Sequence, residues 1–241
     1  MTNTSLNAPS PTPVVASAAA TDYALQRLNM VDSQVRPSDV TDRRVLRAMA
    51  QVPREAFVPA ELKSIAYMDI PVALDRERQP RAMIEPRLFA KLVQLAEIPD
   101  GGRVLEIGCG SGYGVAVLAA MGCKAFGLEE NTSLFAQAQA LTASAGVVAG
   151  TTKLSNGKLA LGWPSEGPFD AIIFSGSVPV VPAGLFDQLK NGGRLVAVTG
   201  NGPGSKATAW LRSGMTFSQR EAFDATALPL PGFAPAPTFV F

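Results

Sequence analysis

Leu105-Glu106-Ile107-Gly108-Cys109-Gly110-Ser111-Gly112-Tyr113 is the stretch that decides the reading of this chain. An apolar run, Arg103 to Ile107, reads as a buried strand, and the apolar segment from Gly114 to Met121 reads as a helix, so the glycines form a strand-to-helix turn. Their spacing is G-x-G-x-G. A dinucleotide-binding turn would carry a third glycine where Tyr113 stands, and a phosphate-binding loop would continue into Gly-Lys-Ser/Thr. The carboxylate of Glu106 on the strand would repel a pyrophosphate. It suits the amino and sulfonium charges of S-adenosylmethionine.

Working outward, the next strand, Ala125 to Leu128, ends at Glu129, about 20 residues past the turn, where an acid can accept from both ribose hydroxyls. Glu130 is the alternative acid. After a third strand candidate within Val147 to Leu154, Asn156 and Gly157 offer an amide for an adenine edge. The cofactor set read from these residues is Glu106, Gly108, Cys109, Gly110, Gly112, Tyr113, Glu129, Glu130, Asn156 and Gly157, and the cofactor is S-adenosyl-L-methionine.

The alternation continues. Phe169 to Phe174 and Arg194 to Val198 read as strands, with helical residues Leu185 to Leu189 before the second. The pattern predicts an α/β, Rossmann-like, doubly wound and mostly parallel sheet with helices on both faces. Upstream, Ala24, Leu25, Leu28 and Val31 have the spacing of one helical face, and Thr41 or Asp42 can cap a second helix. Prolines interrupt the chain at Pro53 and Pro59, residues 60–86 read as irregular or short strands, and Pro86 can open a helix through Leu95. Residues 1–20 read as a disordered tail, 21–86 as a helical substrate-side extension, and 87–241 as the cofactor-binding domain, the last two forming one unit. The proline-rich C-terminus from Leu228 is expected to pack as an extended or edge segment.

Composition narrows the chemistry. The 241 residues hold 21 Lys and Arg against 20 Asp and Glu, which offers no broad basic surface for nucleic acid. No histidine is present, which removes histidine-based nucleophile systems and histidine-ligated metal sites. Cys109 and Cys123 read as reduced thiols and cannot make a four-ligand zinc site alone, so no metal is expected. No basic leader and no run of ~18 apolar residues is present, so the expectation is a cytoplasmic protein without a membrane partner.

Residues 30–37 (MVDSQVRP), 42–49 (DRRVLRAM), 52–59 (VPREAFVP), 66–71 (AYMDIP), the glycine turn, 168–173 (PFDAII) and 188–196 (QLKNGGRLV) together resemble the protein-L-isoaspartate O-methyltransferases. The 52–59 block is the most specific of these. The resemblance implies methylation of the abnormal carboxylate that forms when Asn or Asp rearranges in damaged proteins. A carboxylate acceptor is ionised near neutral pH and needs no general base, which fits a chain without histidine.

The chain departs from that family on the substrate side. Where the family carries Gln-Thr-Ile-Ser-Gln-Pro, this sequence has Arg81-Ala82-Met83-Ile84-Glu85-Pro86, with Ile84 at the position of the serine assigned to the active site. No catalytic residue is therefore named. The substrate-side candidates are Arg78, Arg81, Met83, Ile84, Glu85 and Ser175, with Arg76, Arg78 and Arg81 able to offset Glu85 or hold a different anion. The acceptor is expected to be a protein or peptide carboxylate, or an unidentified small molecule, and the protein a monomer or homodimer. A related methyltransferase with another acceptor, or a cofactor-binding protein without catalysis, are the competing readings.

Overall fold

The computed structural model describes residues 16–75, 80–146, 151–200 and 202–233, the side chains of residues 16–22 excepted. The expected tail lies outside the described residues up to residue 15. Its last part is helical: α1 spans Ala16–Met30, because the alanines there are the best helix formers. The helical face expected of Leu25 and Leu28 is not buried, and both are half exposed. Full burial begins at Met30 and Val31, where α1 passes into a π-helical turn, Val31–Val35.

Asp42 caps α2 (Arg43–Gln51) by accepting from the Arg44 amide at 2.8 Å. The proline-flanked block that follows makes a short 3-10 turn, Arg54–Phe57. Next comes a two-stranded antiparallel ladder, β1 (Val72–Ala73) with β2 (Ala82–Met83). Pro86 stands at the first turn of α3 (Pro86–Leu95), where its missing N–H costs nothing.

The remaining elements alternate as expected: β3 (Arg103–Ile107), α4 (Tyr113–Ala120), β4 (Lys124–Glu129), α5 (Thr132–Ser144), β5 (Thr152–Asn156), β6 (Phe169–Val178), α6 (Ala183–Phe186) and β7 (Leu189–Thr199). Of the third strand expected from Val147 to Leu154, Thr152 to Leu154 lie in β5, and residues 147–150 lie outside the described residues. Of Leu185 to Leu189, the first two residues end α6, Asp187 and Gln188 form a turn, and Leu189 opens β7.

Two further strands, β8 (Lys206–Ser213) and β9 (Thr216–Asp224), complete a seven-stranded sheet of order β5-β4-β3-β6-β7-β8-β9. Neighbours from β5 to β7 are parallel, and the β7-β8 and β8-β9 pairs are antiparallel. Side chains alternate across the sheet. Val104 and Ala125 join a core with α2, α3 and α4 on one face, while Leu105, Ile107, Phe126 and Leu128 join Leu185, Leu230 and Phe233 on the other. Strand order reverses around β3, which has β4 on one side and β6 on the other. Doubly wound sheets bind ligands outside the carboxyl ends of the strands at such a point.

Candidate cofactor groove

The register brings Ile107 beside Leu128 and Phe174, and Glu129 beside Asn156, so the tips of β3, β4, β5 and β6 meet at one edge. There Gly108, Gly110 and Gly112 take φ of 76°, 56° and 92°. L side chains resist that left-handed region, so the G-x-G-x-G spacing is a backbone requirement of the turn.

Glu106 is 2% exposed and lies under this turn, accepting from the Ser175 hydroxyl. A Cβ on Gly114 would overlap its carboxyl group. Burial pushes its pKa up to about 7; the Ser175 hydrogen bond opposes this, and the nearby charge of Glu129 adds to it. Its Oε2 is buried without a hydrogen-bond partner, as are Arg54 Nη1 and the Tyr113 hydroxyl in the same region.

Tyr113 borders the small cavity beside Glu106 and Ser175 and is otherwise enclosed. It packs between Phe57 and Phe89, each with ring centroids 5.8 Å away, and under the Arg54 guanidinium at 4.9 Å. Cys109 is a buried free thiol whose pKa burial drives well up. Asn156 spends its amide nitrogen on the carbonyls of Glu129 (2.9 Å) and Glu130 (3.1 Å), and the Gly157 amide also donates to the Glu129 carbonyl. These two residues hold the tip of β4 where an adenine contact was expected of them.

The largest departure concerns Glu129. It is fully buried, and its carboxylate accepts from the amides of Gly110, Glu130 and Asn131 and from Arg81 Nη1 at 2.8 Å. Three of these donors converge on Oε1, and the Gly110 amide takes Oε2. Arg81, expected on the substrate side against Glu85, thus holds the carboxylate expected to accept from ribose, and its Nη2 donates to the Gly108 carbonyl at 3.0 Å. Arg76 and Arg78 lie outside the described residues. Met83 and Ile84 are buried beside Glu106 and Ser175, and Glu85 precedes α3 without a side-chain capping bond, its pKa raised by burial and, beyond that, by Asp69.

Arg54, within the 52–59 block, was given no role by sequence reasoning. It is wholly buried and donates to the carbonyls of Ala66 (2.8 Å) and Ile84 (2.7 Å), so it fixes the segment that carries the substrate-side residues. Its signal was a charge inside a block bounded by Val52-Pro53 and Phe57-Val58-Pro59. Leu74 and Leu230 were missed as well. A Cβ on Gly110 would meet Leu74 Cδ1 at 2.6 Å, and one on Gly108 or Gly176 would meet Leu230 Cδ2 at 2.7 Å.

The cavity that Glu106, Ser175 and the glycine turn share has a volume of about 20 Å³. That is room for one water, against the several hundred Å³ of an ordinary ligand pocket. S-adenosylmethionine does not fit the groove in this conformation: the space over the glycines is filled by Leu74, Leu230 and the Arg81 guanidinium.

Comparison with known proteins places the chain. The family described as Protein-L-isoaspartate(D-aspartate) O-methyltransferase (PCMT) matches residues 26–219. The chain belongs to the PCMT family. Among curated PCMT relatives, Protein-L-isoaspartate O-methyltransferase 2 of Anaeromyxobacter sp. is 40% identical over 171 residues, 71% of this chain and 68% of that protein. Protein-L-isoaspartate O-methyltransferase of Synechococcus sp. is 35% identical over 219 residues, 88% of each. A solved protein-L-isoaspartate O-methyltransferase has a TM-score of 0.74 at 22% identity, covering 87% of this chain and 66% of its own. A Plasmodium falciparum PCMT structure in complex with S-adenosyl-L-homocysteine has a TM-score of 0.71 at 20% identity, covering 85% and 97%. Both share the PCMT fold.

Proposed function

We propose that the protein is an S-adenosylmethionine-dependent carboxyl O-methyltransferase that acts on isoaspartyl residues of proteins. The observation that carries this is the preserved frame at the reversal of strand order. Three left-handed glycines, Glu106 beneath them, and a Glu129 carboxylate aimed by three backbone amides stand within a chain of this family. An ionised acceptor needs no base, so such a site has only to position it and exclude water. The absence of histidine costs this chemistry nothing. The same reading takes the protein to work in the cytoplasm as a monomer or homodimer; among the described residues no helix is long and apolar enough to cross a membrane.

Incubation with methyl-labelled S-adenosylmethionine and an isoaspartyl peptide is expected to form a base-labile methyl ester. No transfer at saturating cofactor rejects the proposal. A second reading, a different acceptor, is favoured by Ile84, whose buried apolar side chain offers neither donor nor acceptor where the family has serine. Under that reading the isoaspartyl peptide stays unmethylated until Ile84→Ser restores transfer.

A further inference from the structure

The contacts that close the groove are contacts the cofactor would need. Arg81 is 4% exposed and takes the Glu129 carboxylate at 2.8 Å and the Gly108 carbonyl at 3.0 Å, the first being the group expected to hold ribose hydroxyls. Its backbone is pinned in turn: the Arg81 amide donates to Asp75 Oδ1 at 3.0 Å, and its carbonyl accepts from Leu74 at 2.8 Å. Residues 227–233 then run across the carboxyl ends of β6, β3 and β4. Leu230 lies over both Gly176 and Gly108, a Cβ placed on Gly232 would lie 3.4 Å from Glu130 Oε2, and Phe233 packs edge-to-face on Phe174 with centroids 5.5 Å apart.

This strap is fastened to one residue of the sheet. The Leu230 amide donates to the Ser177 carbonyl, the Ser177 amide to the Leu228 carbonyl (both 2.9 Å), and the Ser177 hydroxyl to the Ala227 carbonyl at 2.9 Å. Glu129 keeps three backbone donors when Arg81 is taken away, so its carboxylate stays aimed at the groove.

We propose that the protein is self-closed: Arg81 and the strap of residues 227–233 occupy the adenosyl groove, and the cofactor binds only by displacing them. The inference rests on reading the groove as an adenosyl site. A ligand whose competent state is sparsely populated binds more weakly by that population, and a substitution that opens the site removes the deficit.

The test is calorimetric titration of S-adenosylhomocysteine into the full chain, Arg81→Gln, Leu230→Ala and the double variant, with hydrogen exchange read at the amides of Ser177 and Leu230. Each single variant is expected to bind at least tenfold tighter than the unaltered chain, and the double variant tighter still. Saturation of the unaltered chain is expected to speed exchange at both amides. Because the two substitutions lie on separate segments, loss of folding in one leaves the other to decide. Equal affinity in all four proteins, binding with both amides still protected, or no binding by any of them overturns the proposal. Methyl transfer separates the two readings. Equal binding with ester formation sinks the self-closed state alone, and variant-enhanced binding without transfer to any carboxylate sinks the proposed reaction alone.

Discussion

Glu106 sits beneath the glycine turn with its pKa raised by burial to about 7, so it folds most readily with its proton on. A carboxyl whose folded pKa exceeds its unfolded value near 4.5 contributes full stability below 4.5 and loses it as pH rises through about 7. The loss is on the order of 3 kcal/mol at most. Glu106→Gln is expected to flatten the stability curve across that window, measured by urea unfolding at a series of pH values; an unchanged slope would place the titration elsewhere. Arg54 is the other residue whose environment sets its role. Arg54→Met strands the carbonyls of Ala66 and Ile84, and is expected to cost about 3 kcal/mol in the same assay. A neutral outcome would mean that the 52–59 block is held by its apolar contacts alone.

At the scale of elements, α4 begins at a glycine for two reasons that reinforce each other. Gly112 has φ of 92°, and a Cβ there would meet Thr142 Cγ2 of α5 at 2.9 Å. Gly112→Ala is therefore expected to destabilise by about 1–2 kcal/mol from the backbone alone, with more from the crowding, seen as a lowered melting temperature. The α2 cap is a milder case. Asp42→Ala removes the acceptor of the Arg44 amide and is expected to cost about 1 kcal/mol in urea unfolding. Both signals were readable, because a cap and a positive-φ turn are satisfied by residues adjacent in sequence. The β1–β2 ladder was legible only as short strands somewhere within residues 60–86, since two-residue strands have no period that would place them.

For the molecule as a whole, the sheet is buried on both faces along β3, β6 and β7, while β9 is an edge with mostly exposed side chains. Hydrogen exchange is expected to finish last in β3, β6 and β7 and first in β9 and the β1–β2 ladder, since opening a peripheral element exposes the least apolar surface. Uniform exchange across the nine described strands would contradict the two-faced core. The strap of residues 227–233 adds a chain segment to the face that also holds Phe174 and Leu185, so this end of the molecule is closed by residues far apart in sequence.

The sequence alone determined the alternation of strands and helices, the turn at Gly108, Gly110 and Gly112, the pairing of Glu106 with the turn, and the family. Each of these is local, or repeats with a period set by the backbone. The strands β8 and β9 lacked a distinct signal, being short on alternation and lying among polar residues. What only the tertiary structure decided is who holds Glu129. Arg81 and Glu129 are 48 residues apart, and Leu230 reaches Gly108 from the far end of the chain. No spacing encodes such contacts. They arise because a buried carboxylate and a patch of glycines without Cβ atoms must be covered, and the sheet brings these side chains within reach.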